Sequence, residues 1–304
     1  MKAAVYIKTK SGKVLEILDV ETPTPKDNEV LIKVRAASLN PLDWRLKSRR
    51  PGVDVAGEVV TVGKRVTQFK PGDSVFGTCR GAFAEHACTP ETALLSKPDA
   101  LTFDQAACVP IAGLTALQGL RDKGNLQPGQ NVLINGAAGG VGTFAVQIAK
   151  SLGAEVTGVC STRNVEMVRS LGADLVIDYT QEDFTNSGRH YDLLLDNVGN
   201  RTLSALRRVM TPRGRCVMVG APKELWPVIT RVLKALAWSP FLRQKFTFFI
   251  AKLKKDDLAG LCELMKAGKV TSMIDKRYRL SGTAEAIAYA EQGHARAKVV
   301  VSFQ

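Results

Sequence analysis

The segment NVLINGAAGGVGTFAVQIAKSLGAEVTGVCSTR, residues 131–163, restricts the fold more than any other stretch of the chain. A short apolar run, NVLIN, meets a cluster of glycines and alanines. A helical stretch, GVGTFAVQIAKSLG, and a second apolar run, AEVTGVC, follow. Two short strands joined by a helix of that length run parallel, with a right-handed crossover. The alternation continues through VEMVRSLG, ADLVIDY, YDLLLD, TLSALRRVM and RCVMVG. The middle of the chain is therefore expected to be an α/β domain built on a doubly wound parallel sheet. Before Leu95 the pattern differs: VLEILDV, EVLIKVRAASL and GEVVTVG read as strands, and PTPKDN and KPGD as turns. A length of 304 residues suits two domains. The helix KDDLAGLCELMKAG and the runs MIDKRYRL and AKVVVSF are expected to return and complete the first. The expected division is 1–108 with 256–304, and 109–255.

The glycine cluster has a chemical reading because of what flanks it. A glycine-rich turn that follows a strand and opens a helix exposes backbone N–H groups at the positive helix end, where a dinucleotide pyrophosphate binds. Ala138, Gly139, Gly140 and Val141 are the candidates to hold it, while Gly142 lets the helix pack on the strand. Ala137 stands where the first glycine of the motif is usual. A purely structural turn is the competing reading. An NAD site places Asp or Glu about 20 residues after the motif, on the ribose hydroxyls. Here the second strand ends in Cys160-Ser161-Thr162-Arg163-Asn164, without a carboxylate. Hydroxyls and a guanidinium suit a 2′-phosphate, so NADPH is the expected cofactor. The alternative is that Ser161 caps a helix starting near Asn164 and that Arg163 is a solvated surface residue.

Bulk properties remove other classes. The formal net charge of +13 invites an anionic partner, yet no basic segment interleaved with aromatics is present, so no specific nucleic-acid partner is expected. No apolar run approaches the roughly 18 residues of a membrane-spanning helix. The opening MKAAVYIKTKSGKVLEI shows no export signal, and the six cysteines are scattered. Reduced thiols and a cytoplasmic location are the expectation. Cys79, His86 and Cys88 form no closed ligand set, so no metal site is expected.

The chain resembles the zinc-independent quinone oxidoreductases of the medium-chain dehydrogenase/reductase superfamily, near the chloroplast-envelope homologues and their bacterial relatives. The resemblance is carried by AASLNPLDWRLK (36–47), GVDVAGEVVTVGKRVTQFKPGDSVFG (52–77), GAFAEHA (81–87) and VPIAGLTALQGL (109–120). GAAGGVGTFAVQIAKSLGA (136–154), LGADLVIDY (171–179), YDLLLDNVG (191–199) and GHARAKVVV (293–301) extend it over nearly the whole chain. Zinc alcohol dehydrogenases carry a cysteine and a G-H-E motif where this chain has Asn40-Pro41 and Gly52-Val53-Asp54. The family implies a GroES-like catalytic domain, a Rossmann domain and a homodimer. It also implies hydride transfer from NADPH to a quinone or an α,β-unsaturated carbonyl. By the same resemblance Asn40 and Asp43 are the catalytic candidates, lining the cleft near the nicotinamide, with Thr115 near its ring. Ser161, Thr162, Arg163 and Tyr179 would surround the 2′-phosphate. Asn197 and Val198 would follow the ribose, and Val219 and Gly220 the carboxamide.

Two departures qualify the resemblance. Relatives carry a longer segment between LNPLDWRLKS and PGVDVAG, where only Arg49 and Arg50 intervene. The stretch 222–255, with Trp226 and Trp238, offers apolar and basic residues at helical spacing. It is expected to form a helix and a strand able to extend a sheet across a dimer, with weak contact to an anionic membrane as the other reading. An NADPH-binding regulatory or membrane-associated protein with little turnover is the functional alternative.

Overall fold

The computed structural model describes residues 1–10, 12–219, 243–293 and 295–303. The chain divides into two compact units, Met1–Ala112 with Leu253–Gly268 and Ser272–Gln304, and Gly113–Lys252 with Lys269–Thr271.

The first unit is β-rich. Strands β1 (Lys2–Thr9) and β2 (Gly12–Asp19) form an antiparallel hairpin. The larger sheet runs β14 (Ile274–Arg279), β15 (Lys298–Ser302), β3 (Glu29–Ser38), β4 (Asp54–Val62), β5 (Ser74–Thr78), β7 (Leu94–Ser96), and β6 (His86–Pro90) also pairs with β3. Along β3, buried Val30, Ile32 and Val34 flank exposed Lys33, and these valines and isoleucine pack with Val55, Val75, Phe83 and Val299. The last strand does return to the first unit: β15 lies antiparallel to β3, with Val300 opposite Ser38. That register carries Lys298, two residues further on, to the turn after β3. There α1 (Pro41–Arg45) begins, with Pro41 at its first position. Helix α2 (Phe103–Ala107) leads into α3 (Pro110–Gln118), within which the chain passes from one unit to the other.

The second unit is a Rossmann-like parallel sheet. Strands β8 (Asn131–Asn135), β9 (Glu155–Cys160), β10 (Leu175–Asp178), β11 (Tyr191–Asp196), β12 (Met210–Met218) and β13 (Lys245–Phe248) lie in the order β10-β9-β8-β11-β12-β13. All neighbours are parallel. Helices α4 (Gly140–Ser151), α5 (Val165–Ser170) and α6 (Leu203–Arg208) occupy the connections. The strand order changes direction between β8 and β11, and the crevice beyond their carboxyl ends is where such sheets bind ligands. Residues 220–242 lie outside the described residues. With them go Gly220, Trp226, Trp238 and the expected helix; Lys245–Phe248, further along the 222–255 stretch, forms β13, the outer strand among the described residues.

Candidate functional site

In the second unit, the turn Gly136–Gly139 joins β8 to α4 at the switch point. Gly136 has φ +79°, which a side chain would strain. A Cβ on Gly142 would sit 2.1 Å from the Gly136 carbonyl oxygen, so the first turn of α4 rests on the strand end. Over Gly139 the space is open: a Cβ there would meet only the Gly136 oxygen, at 3.5 Å. Ala137 stands where glycine is usual; its methyl lies 3.1 Å from where a Cβ of Gly158 on β9 would be, and that Cβ would meet Val168 Cγ1 first, at 2.5 Å, so Gly158 leaves room for both side chains.

Asn197, just past β11, is half-buried, but its amide nitrogen and oxygen are both shut from solvent and neither has a partner. It adjoins the turn, because a Cβ on Gly136 would touch both Val198 Cγ2 and Asn197 Cβ. Polar atoms shut from solvent are rarely left this way, and an unpartnered amide on the loop beside a glycine turn fits a polar ligand there. The loop holding Asn197 is built by residues that the sequence patterns did not single out. Asp196 Oδ1 accepts from Asn135 Nδ2 at 2.9 Å and from the backbone N–H of Gly199 at 2.9 Å. Asn135 Nδ2 also donates to Asn200 Oδ1 at 3.1 Å. An Asn and an Asp ending two adjacent parallel strands are the available signal. Val219 is fixed by its N–H to Asp196 O at 3.0 Å, and Thr115 is buried in α3.

The tips of β9 and β10 meet, Tyr179 N–H donating to Cys160 O at 3.0 Å, which brings Tyr179 beside Ser161–Arg163. Arg163 and half-exposed Tyr179 face solvent. Ser161 makes no side-chain capping bond; its hydroxyl instead accepts from Asn164 Nδ2 at 3.1 Å, and α5 starts only at Val165. A carboxylate does reach this tip, from the next strand. Asp178 Oδ1 accepts from the Thr180 hydroxyl at 2.8 Å, and that hydroxyl lies 2.9 Å from the Thr162 hydroxyl. The Thr162 hydroxyl and then the Thr180 groups hold Asp178 below the usual carboxylate range.

In the first unit, Asn40 and Asp43 lie in the interior. Asp43 closes the short 40–52 loop: Oδ2 accepts from the Asn40 N–H at 2.7 Å and Oδ1 from the Gly52 N–H at 3.0 Å. Asn40 Nδ2 donates to Asp54 Oδ2 at 2.9 Å, and Asn40 Oδ1 accepts from Lys298 Nζ at 2.8 Å. Burial, with the Asp54 charge adding to it, pushes the Asp43 carboxyl from 3.8 up to about 7. The folded carboxyl then binds its proton more tightly than the unfolded chain does. Its stabilising contribution is complete below about pH 4 and is lost as pH rises through about 7. The melting temperature is expected to fall between about pH 4 and 7, and Asp43→Asn to flatten that slope. A melting curve across that range checks it, and an unchanged slope in the variant would assign the titration to another group.

Among the described residues, no group of three or more His, Cys, Asp and Glu is placed to hold a metal ion, and no helix is long and apolar enough to cross a membrane. Two family models match the chain: the alcohol dehydrogenase GroES-like domain over residues 26–99 and zinc-binding dehydrogenase over residues 171–301. The chloroplast envelope quinone oxidoreductase homolog of Arabidopsis thaliana is 35% identical, over 94% of this chain and 93% of that protein. The chloroplastic NADPH-dependent alkenal/one oxidoreductase of the same plant is 33% identical, over 99% of this chain and 79% of its own length. The solved quinone oxidoreductase from Coxiella burnetii has a TM-score of 0.87 at 29% identity, covering 100% of this chain and 99% of that one.

Proposed function

Because the chain belongs to the quinone oxidoreductases of the medium-chain dehydrogenase/reductase superfamily, we propose that it is a zinc-independent, NADPH-dependent reductase of quinones or α,β-unsaturated carbonyls. The observation that carries this reading is the wholly unpartnered Asn197 amide, shut from solvent beside an open glycine turn at the switch point. The chemistry a bound nicotinamide supplies is hydride transfer. The protein's part is binding and orientation. The backbone N–H groups of Ala138, Gly140 and Val141 take the pyrophosphate at the start of α4, over Gly139, whose own N–H donates to Gly136 O at 3.1 Å. Asn197, Val198 and Val219 follow the ribose and carboxamide, and Thr115 lies toward the ring. Ser161, Thr162, Arg163 and Tyr179 receive the 2′-phosphate, a reading supported by the NADPH dependence of the alkenal/one reductase relative.

Asn40 and Asp43 shape the substrate side rather than move a proton, since both Asp43 oxygens accept backbone N–H groups and the Asn40 amide is held at both ends. Strand β13 offers its outer edge to a second copy in a homodimer, which light scattering would check.

The test is oxidation of NADPH, then of NADH, against a panel of small quinones and enones with a chelator present. Arg163→Ala is expected to weaken NADPH by roughly 1.5–3 kcal/mol, the worth of a charge-assisted bond, and to leave NADH nearly unchanged. Equal loss for both nucleotides would sink the 2′-phosphate assignment. Turnover that the chelator abolishes would sink zinc independence.

A further inference from the structure

Lys298 is an ammonium with 3% exposure, among the carboxylates of Asp54, fully buried, and Asp43, at 2%. All its donors find oxygen: Leu39 O at 2.8 Å, Asn40 Oδ1 at 2.8 Å and Asp54 Oδ2 at 3.5 Å. Asp54 is saturated in turn. Its Oδ2 also accepts from Ser38 Oγ and Asn40 Nδ2, each at 2.9 Å, and its Oδ1 from the Ile111 N–H at 3.1 Å, in the first turn of α3. The residues joined come from the end of β3, the start of β4, the start of α3 and the start of β15.

A buried ion pair is a poor source of stability, because desolvating both charges cancels most of their attraction, and apolar residues of the same volume do as well or better. What such a pair does give is fixed direction. Lys298 has only donors, so it decides which end of the Asn40 amide faces it; Asp54 has only acceptors and takes the other end. The Leu39 carbonyl and the Asn40 side chain are thereby locked, and with them the turn whose next residues start α1 and carry Asp43.

We propose that Lys298 is a positioning residue, whose buried ammonium fixes the turn Ser38–Asp43 on the substrate side of the reductase and, through Asp54, steadies the first turn of α3. The functional half of this rests on the reductase reading above; the structural half does not.

The test pairs Lys298→Met with the neutral, similarly shaped double variant Lys298→Met/Asp54→Asn. The single variant leaves buried carboxylates without their cation and is expected to melt lower. The double variant removes both charges and is expected to recover most of that loss. Hydrogen exchange of peptides covering 38–52 is nonetheless expected to be about tenfold faster in the double variant, as for loss of one net hydrogen bond, with peptides covering 131–160 unchanged. Its kcat is expected to fall about 10- to 100-fold through misplacement, with KM for NADPH unaltered. Wild-type exchange over 38–52 in a double variant of recovered stability would overturn the positioning role. Faster exchange with full kcat would confine the role to structure and overturn its functional half. If the wild-type protein turned over no quinone or enone, the reductase reading would fail, and the exchange rates alone would decide the rest.

Discussion

Asp54→Ala is expected to destabilise the first unit by about 3–5 kcal/mol, the usual consequence of removing one member of a buried pair. The large value follows from what the substitution leaves behind. Lys298 keeps only the Leu39 carbonyl and the Asn40 oxygen, inside a region closed to water. Ser38 Oγ, Asn40 Nδ2 and the Ile111 N–H lose their acceptor together. Each buried donor left unmet is itself costly. The methyl group fills little of the space, so side chains cannot close over the gap without shifting β3 or β15. A shift of the first thermal transition would read the effect, because two units need not melt together. A loss below about 1 kcal/mol would mean that the site relaxes or hydrates readily, and that its polar bonds contribute little.

This cluster also shows where sequence reasoning stops. The parallel sheet was readable because its information is local: apolar runs of strand length alternate with helices, and the crossover rule supplies the rest. The glycine turn was readable for the same reason. Lys298 was not, because it meets Asn40 only through the β15–β3 register, which joins residues 258 positions apart and follows from tertiary packing alone. Asp178 escaped likewise. The end of β9 carries no carboxylate of its own, but parallel neighbours end side by side, and a residue at the tip of β10 reaches the same place. Ala137, where the motif usually has glycine, packs its methyl toward Gly158 on the next strand. In each case the deciding neighbour is lateral, across the sheet, and leaves no periodic trace along the chain.

Gly142→Ala and Gly139→Ala are expected to separate the two duties of the glycine turn. At Gly142 the added Cβ would lie 2.1 Å from the Gly136 oxygen and 2.7 Å from the Ala137 carbonyl carbon and Cα, all of them backbone. Neither partner can swing aside: Gly136 is held at positive φ, and the Ala137 N–H is bonded to Val159 O at 3.0 Å. Helix α4 must lift off β8, at a cost of about 3 kcal/mol, the upper end for overpacking. Lifting the helix also moves the N–H groups meant for the pyrophosphate, so nucleotide affinity should fall about tenfold or more alongside stability. Gly139 has φ −83°, which alanine adopts freely, and its Cβ would meet only the Gly136 oxygen at ordinary contact distance. Gly139→Ala should therefore keep its stability within about 0.5 kcal/mol, as a substitution into open space does. If a phosphate closes over that position, the methyl obstructs it, and affinity falls while the melting temperature holds. Thermal melts and NADPH fluorescence titrations of the two variants read both quantities. Unchanged NADPH affinity in Gly139→Ala would place the nucleotide elsewhere and leave the turn a packing device.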